Sequence, residues 1–396
     1  MAPDLLPSSH LLLSRRSFLI GCSVAASPLL TPVTFAAVAG QNRLVVIVLR
    51  GAMDGLDVVR PLGDRAYLAL RPTLAADAAA SADLDGFFAL HPAASPLMPL
   101  WDKGELAFAH AVATPYRQGR SHFIGQDALE NGTGGQDGQL TAGHDGWLNR
   151  ALSVIPGADP QTAVSVGQQR LLILEGGNDS QHYFPVSEST LSLQGQTLLA
   201  AVNAADPLFA EPFAQGQQLA VDTMGQAVPK GRVDHAQLGT YVAEQLLGPS
   251  RIASLSLGGW DTHHSQTRTM AEQLTALSDM VLAMKSGLGR HWGTTMVLAM
   301  TEFGRTAREN GTMGTDHGTG GLMIAAGGAL RGKRVLTDWP GLGDGDLLAQ
   351  RDLRPTRDVR AFAAHALHGL YGVDASAVER VIFPGLDLGP DPDLLL

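Results

Sequence analysis

Apolar and polar positions divide the chain into short apolar runs, most of them closed by a polar motif. Residues 44–49, 106–109, 171–174, 252–257, 296–300 and 322–326 are brief runs bounded by Gly and polar residues, which predicts buried β-strands. Between the fourth and fifth runs, Met270, Leu274, Leu277, Val281 and Met284 recur at three- and four-residue spacing, one face of an amphipathic helix. Val359, Phe362, Ala366, Leu367 and Leu370 outline a final helix that begins near Thr356. A further helix is expected from about residue 121 through Leu129, and residues 81–100 read as a loop leading into a helix. The order strand, polar loop, helix, strand, polar loop over residues 252–328 is that of an α/β protein. In an open α/β sheet, loops at the carboxyl ends of parallel strands share one crevice, which is where chemistry is expected.

Two stretches break the pattern. Residues 132–146 hold six glycines and read as a flexible surface loop. Residues 181–230 are polar, Ala/Gln-rich and weakly periodic, and read as a helical insertion or lid over the crevice. No internal repeat is present.

The amino terminus has its own pattern. Ser14-Arg15-Arg16-Ser17-Phe18-Leu19 is a twin-arginine export motif, followed by a moderately apolar run and then Ala37-Val38-Ala39, a small-x-small cleavage site. Residues 1–39 are therefore expected to be a signal peptide that engages the twin-arginine export machinery and delivers residues 40–396 to the periplasm or beyond. Pro28, Pro32 and several hydroxyl residues break the run, so it is a poor transmembrane span, and no stable membrane anchor is expected. Only five residues separate Arg16 from Cys22, too few for the apolar core of a lipoprotein signal.

Composition narrows the chemistry. The 396 residues are 45% hydrophobic and 17% charged, enough to bury a large core, and the net charge of −10 argues against nucleic-acid partners, which need basic patches. Cys22 is the only cysteine and lies in the export segment, so any metal must be held by oxygen and nitrogen ligands.

Candidate ligands follow the apolar runs. Asp54 lies just past the first run, in Gly51-Ala52-Met53-Asp54-Gly55, as a ligand or as a cap of the next element. Asp261 with His263 or His264 can offer oxygen and nitrogen to one cation, although Asp-Thr-His also makes a helix-entry turn. Glu302 follows a buried run, where it needs a cation or a partner, and Arg305 is the nearest candidate for a structural pair. Asp316 and His317 sit in a Gly/Thr-rich turn. Ser121 stands at an expected helix start, as a nucleophile or as an N-cap. Together these residues suit a divalent cation (Zn²⁺, Ca²⁺, Mg²⁺ or Mn²⁺). With Ser121 as nucleophile and Arg120 and Arg305 as anion clamps, they suit metal-assisted transfer of a phosphoryl or sulfuryl group.

The chain resembles the exported bacterial proteins classed as domain of unknown function 1501, in the alkaline phosphatase and sulfatase-like superfamily. The likeness rests on residues 14–19, Leu49-Arg50-Gly51 with Asp54-Gly55, Arg120-Ser121-His122-Phe123, residues 258–263 and 301–305, Thr315-Asp316-His317-Gly318, Asp338-Trp339-Pro340-Gly341-Leu342 and Asp352-Leu353. The resemblance implies one alkaline-phosphatase-like α/β domain over residues 40–396, a central mostly parallel sheet sandwiched between helices, with metal above its carboxyl edge. It further implies that Asp54 is the first-strand metal carboxylate, Ser121 the helix-start nucleophile, Asp261 with His263 or His264 the ligands of the next loop, and His317 the late histidine ligand. Glu302-Phe303 stands where those hydrolases carry Asp-His, and the sulfatase signature Cys-x-Pro-x-Arg is absent. The expected activity is metal-dependent hydrolysis of phosphate or sulfate esters on an anionic small-molecule or glycan substrate. The alternative is a non-catalytic periplasmic protein that keeps the sulfatase-like fold and uses the same cleft to bind an anionic ligand or a partner during cell-envelope assembly.

Overall fold

A computed structural model describes residues 40–117, 119–134, 145–168, 170–183 and 234–396. The proposed signal peptide, most of the glycine-rich loop and nearly all of the proposed insertion lie outside the described residues.

Among the described residues, the main sheet has nine strands: β1 (Arg43–Leu49), β2 (Leu106–Ala113), β3 (Ala163–Val166), β4 (Gln181–Tyr183), β5 (Ile252–Leu257), β6 (Thr295–Thr301), β7 (Gly321–Ala326), β8 (Arg334–Leu336) and β9 (Arg357–Asp358). Their order is β8-β2-β7-β6-β1-β5-β3-β4, with β9 also paired to β2, and β7 alone runs antiparallel to its neighbours. The sheet is therefore mostly parallel, as expected. Every residue of β1 is buried, and alternation splits them: Val45, Ile47 and Leu49 face one core, Leu44, Val46 and Val48 the other.

Helices cover both faces. On the first lie α3 (His235–Leu247) and α4 (Gln266–Leu288), and Met270, Leu274, Leu277, Val281 and Met284 are all buried there. Each such side chain stabilises by roughly 1.5–3 kcal/mol on transfer from water. On the second lie α2 (Trp147–Leu152) and α5 (Val359–Tyr371), with Phe362, Ala366, Leu367 and Leu370 inward. Asp358 caps α5 by accepting from Arg360 N–H, two residues beyond the expected start at Thr356. Helix α1 (His122–Asn131) ends at Gly132 in the left-handed conformation.

Two expectations need correction. The run 171–174 is not a strand: Leu172–Leu174 forms a 3-10 turn, and Ile173 N–H donates to the Glu130 carboxylate of α1. The edge beside β3 is taken instead by Gln181–Tyr183, at the head of the stretch assigned to an insertion. A short apolar run shows burial but not conformation. β2 is also longer than 106–109, because His110 is wholly buried within it.

The site is placed by strand register. Leu49 pairs with both Leu257 and Thr301, so three adjacent parallel strands end level. β7 begins at the same edge, Gly321 opposite Val112 of β2. The loops after β1, β2, β5 and β6 and the loop before β7 thus meet at the carboxyl edge.

Candidate metal centre

Three imidazoles and one carboxylate converge at this edge. His122 Nε2, His263 Nε2 and His317 Nε2 lie 3.4, 3.1 and 3.2 Å from Asp261 Oδ1, and the Nε2 atoms of His263 and His317 are 2.9 Å apart. Ligands sharing one zinc-like cation at bonds of about 2.0–2.2 Å stand roughly 3.3–3.6 Å from one another when tetrahedral, so the spacing is close to that of a common coordination sphere. Among the described residues, the ligand atoms of His122, Asp261 and His317 all lie within 4.8 Å of one another, and His263 adjoins this group through Asp261 and His317 without being part of it.

The outer face of each ring is held by a separate partner. His317 Nδ1 lies 2.9 Å from Arg120 O, a carbonyl that can only accept, which puts the lone pair of the neutral ring on Nε2, toward His263 and Asp261. His122 Nδ1 lies 2.8 Å from Glu302 Oε1, and its buried Nε2 makes no hydrogen bond. His263 Nδ1 faces Asp316 Oδ1 at 3.5 Å. Carboxylate or carbonyl support on the far nitrogen is the arrangement that fixes tautomer and ring orientation at metal sites. Phe303 stacks on His122 with ring centroids 5.2 Å apart.

Glu302 is wholly buried and accepts from Gly51 N–H, His122, Gln126 and Thr301. Burial alone would raise its pKa, but the hydrogen bonds from His122, its own backbone N–H, Gln126 and Gly51 outweigh it and hold the carboxyl below its ordinary value. Burial likewise pushes Asp261 up, and Arg305 at 2.5 Å more than offsets it. The hydrogen bond to Glu302 raises the His122 pKa, whereas burial and then Arg305 lower that of His317.

Backbone geometry lets the loops approach. Gly51 has φ +118°, and a Cβ there would stand 2.5 Å from Asp261 N. Gly304 meets Gly320 O so closely that any side chain would collide, which brings the loop after β6 against the loop before β7.

The expected site residues separate into three groups. Asp261, His263 and His317 come together, and His264 is exposed to solvent away from them. Glu302 and Asp316 stand behind the rings rather than among the converging atoms, and the anticipated Glu302–Arg305 pair is replaced by Glu302–His122 and Arg305–Asp261. Asp54 is buried in a bidentate pair with Arg71 (2.6 and 3.0 Å) and accepts from Gln266, so its oxygens are engaged away from the cluster. Arg305 is buried against Ala52 O, Thr315 O, Gly51 O, Trp260 O and Asp261, which leaves it no reach toward an anion. Ser121 occupies the N-cap position of α1, yet its side chain makes no capping hydrogen bond. Arg120 is half-exposed and paired with Asp352. His122, which the sequence reading did not single out as a candidate ligand, joins Asp261 and His317. Its signal was in plain view: a histidine in the loop after a buried run, as for His263 and His317.

The family description "Protein of unknown function (DUF1501)" matches residues 41–382. The chain belongs to this family. No curated protein matches the DUF1501 chain. Among solved structures it is similar to a protein of the alkaline phosphatase superfamily from Vibrio parahaemolyticus, at 12% identity over 89% of this chain and 72% of that one, TM-score 0.39. It is also similar to the C-terminal periplasmic domain of EcEptC from Escherichia coli, solved in complex with Zn (9% identity, 90% and 92% covered, TM-score 0.40). A third is the PsFucS1 sulfatase from Pseudoalteromonas sp. (11%, 91% and 74%, TM-score 0.39). Among the described residues, no helix is long and apolar enough to cross a membrane.

Proposed function

We propose that this DUF1501 protein is an exported, metal-dependent hydrolase of phosphate or sulfate esters, with one divalent cation held by His122, Asp261, His263 and His317. The observation that carries the reading is the buried Nε2 of His122, which makes no hydrogen bond and stands 3.4 Å from the carboxylate oxygen that His263 and His317 also approach. A buried polar atom without a partner is costly, and a cation would satisfy it. Nitrogen-rich donors suit zinc or another first-row metal better than calcium or magnesium, which prefer oxygen.

A bound cation would polarise an ester oxygen and lower the pKa of an attacking hydroxyl or water. The protein's own residues supply the rest. Ser121 places an uncapped hydroxyl one residue before His122, at the positive end of a ten-residue helix, where a developing anion is favoured. Glu302, Asp316 and the Arg120 carbonyl keep the three rings turned inward. Export through the twin-arginine route, which carries folded proteins, would allow the metal to be loaded beforehand.

Metal content and turnover on a panel of phosphate and sulfate esters test this. Wild type should carry one metal per chain and hydrolyse at least one ester; Asp261→Ala and His317→Ala should lose both, and Ser121→Ala only the turnover. Wild type without stoichiometric metal and silent on the panel would sink the reading. The rival is a cleft that binds an anionic ligand or a partner without turnover, and metal without hydrolysis would be its signature.

A further inference from the structure

Asp352 is buried, and three groups converge on its carboxylate. Arg120 Nη2 and Thr319 Oγ1 donate to Oδ2 at 2.9 and 2.8 Å, and Arg351 Nη1 donates to Oδ1 at 2.9 Å. Both arginine side chains are over a third exposed, 40% for Arg120 and 38% for Arg351, so each is anchored at one end and open at the other. Both are also tied to a proposed metal ligand. Arg120 O accepts from His317 Nδ1, and Arg351 Nη1 donates to His317 O, each at 2.9 Å.

The anchoring holds backbone strain. Arg120 sits at φ +45°, a left-handed conformation that costs a non-glycine residue of order 1 kcal/mol or more, and the Asp352 and His317 contacts fix it there. Its Nε is buried and makes no hydrogen bond. Among the described residues, Arg120 Nη1 and Arg351 Nη2 and Nε also make none. The pair therefore presents fork-shaped donors beside His317 that no group among the described residues uses.

We propose that Arg120 and Arg351, positioned by Asp352, form a two-armed subsite for a tetrahedral oxyanion, the phosphoryl or sulfuryl group of the substrate. This rests on reading the neighbouring cluster as a metal centre. Guanidinium forks match such oxygens in geometry and charge. They take the role that the sequence assigned to Arg120 and Arg305, with Arg351 in place of the buried Arg305.

Local charge couples the two sites. Four carboxylates (Asp261, Glu302, Asp316, Asp352) face three guanidiniums (Arg120, Arg305, Arg351), a formal balance of −1 that a divalent cation turns to +1. Cation and oxyanion should therefore each tighten the other's binding.

Calorimetric titration of inorganic phosphate and of sulfate into the zinc-loaded and metal-free full-length protein, beside Arg351→Gln and Arg120→Gln, tests the subsite. Zinc-loaded wild type should bind one anion per chain, more tightly than the metal-free form. Each substitution should weaken that binding about tenfold or more, with zinc stoichiometry unchanged. Wild-type anion affinity in both folded variants would overturn the subsite while leaving the metal centre standing. Zinc failing to bind would overturn the metal centre, and the metal-free titrations would then decide the arginines: an affinity lost in Arg351→Gln supports the subsite, and no arginine-dependent binding removes it.

Discussion

Two polar clusters lie side by side at the carboxyl edge of one sheet, and they are built on opposite terms. In the first, Asp54, Asp57, Arg60, Arg71 and Gln266 are all buried and satisfy one another: Arg71 grips Asp54, Arg60 grips Asp57 at 2.9 Å, and Gln266 donates to both carboxylates. In the second, three imidazoles turn their Nε2 atoms toward one carboxylate, with Asp261 and His263 open to solvent and His122 Nε2 left without a hydrogen bond. A closed network ties loops together. An open one that spends its hydrogen bonds on aiming its side chains keeps lone pairs for something else.

The largest effect should come from opening the closed cluster. Asp54→Ala leaves the Arg71 guanidinium buried without its carboxylate, and denaturant unfolding should show a loss of about 3–5 kcal/mol. Zinc stoichiometry of the folded fraction should stay at wild type. If Asp54→Ala abolishes zinc binding in folded protein, Asp54 belongs to the metal centre after all and the division between the clusters is wrong.

Acid should strain the same closed region next. His110 lies in β2 facing Asp54 and Arg71, donates from Nε2 to Val59 O, and accepts Ala111 N–H at Nδ1. Burial pushes its pKa down to about 4 from an ordinary 6.5. Above about pH 6.5 both the folded and unfolded chains hold it neutral, so its contribution is fully present. Between pH 6.5 and 4 only the unfolded chain takes the proton, and stability falls by up to about 3 kcal/mol. Urea unfolding of the metal-free protein at pH 7 and pH 4.5 should show that loss in wild type and a smaller one in His110→Asn. Parallel losses in the two proteins would mean that His110 is not held neutral.

The two clusters were not equally legible in the sequence. Strands β1, β5, β6 and β7 could be read within a residue or so because each is a buried run bounded by Gly or polar residues, and the face of α4 because Met270 to Met284 keep helical spacing. Asp261, His263 and His317 were legible because histidines and carboxylates that follow strands gather at one edge. What strand position cannot show is which way a side chain turns. Asp54 and Asp261 both follow a buried strand, but Asp54 is met by Arg71, a residue seventeen positions on with no motif around it. Arg351 was equally hidden, since its place beside His317 is set by a contact 34 residues apart. Ser121 drew attention away from His122 because a serine before a helix already has two familiar roles.

Glu302 joins the two kinds of cluster and gives the finest test of the distinction. Its carboxylate is satisfied as fully as that of Asp54, yet one of its hydrogen bonds goes to a proposed ligand, His122. Glu302→Gln keeps the volume and removes a buried charge, so stability should change little, because the lost charge-assisted bonds are offset by relief of desolvation. The neutral amide holds His122 Nδ1–H more weakly, and a far-nitrogen carboxylate tunes both ring orientation and basicity. Zinc affinity, measured by competition with a chelator of known strength, should therefore fall about 10–100-fold. In the metal-free variant, nitrogen chemical shifts of His122 should show the tautomers more evenly mixed, a change that loosened packing alone would not produce. An unaltered zinc affinity would place Glu302 with Asp54, as a residue that closes loops and has no hold on the metal.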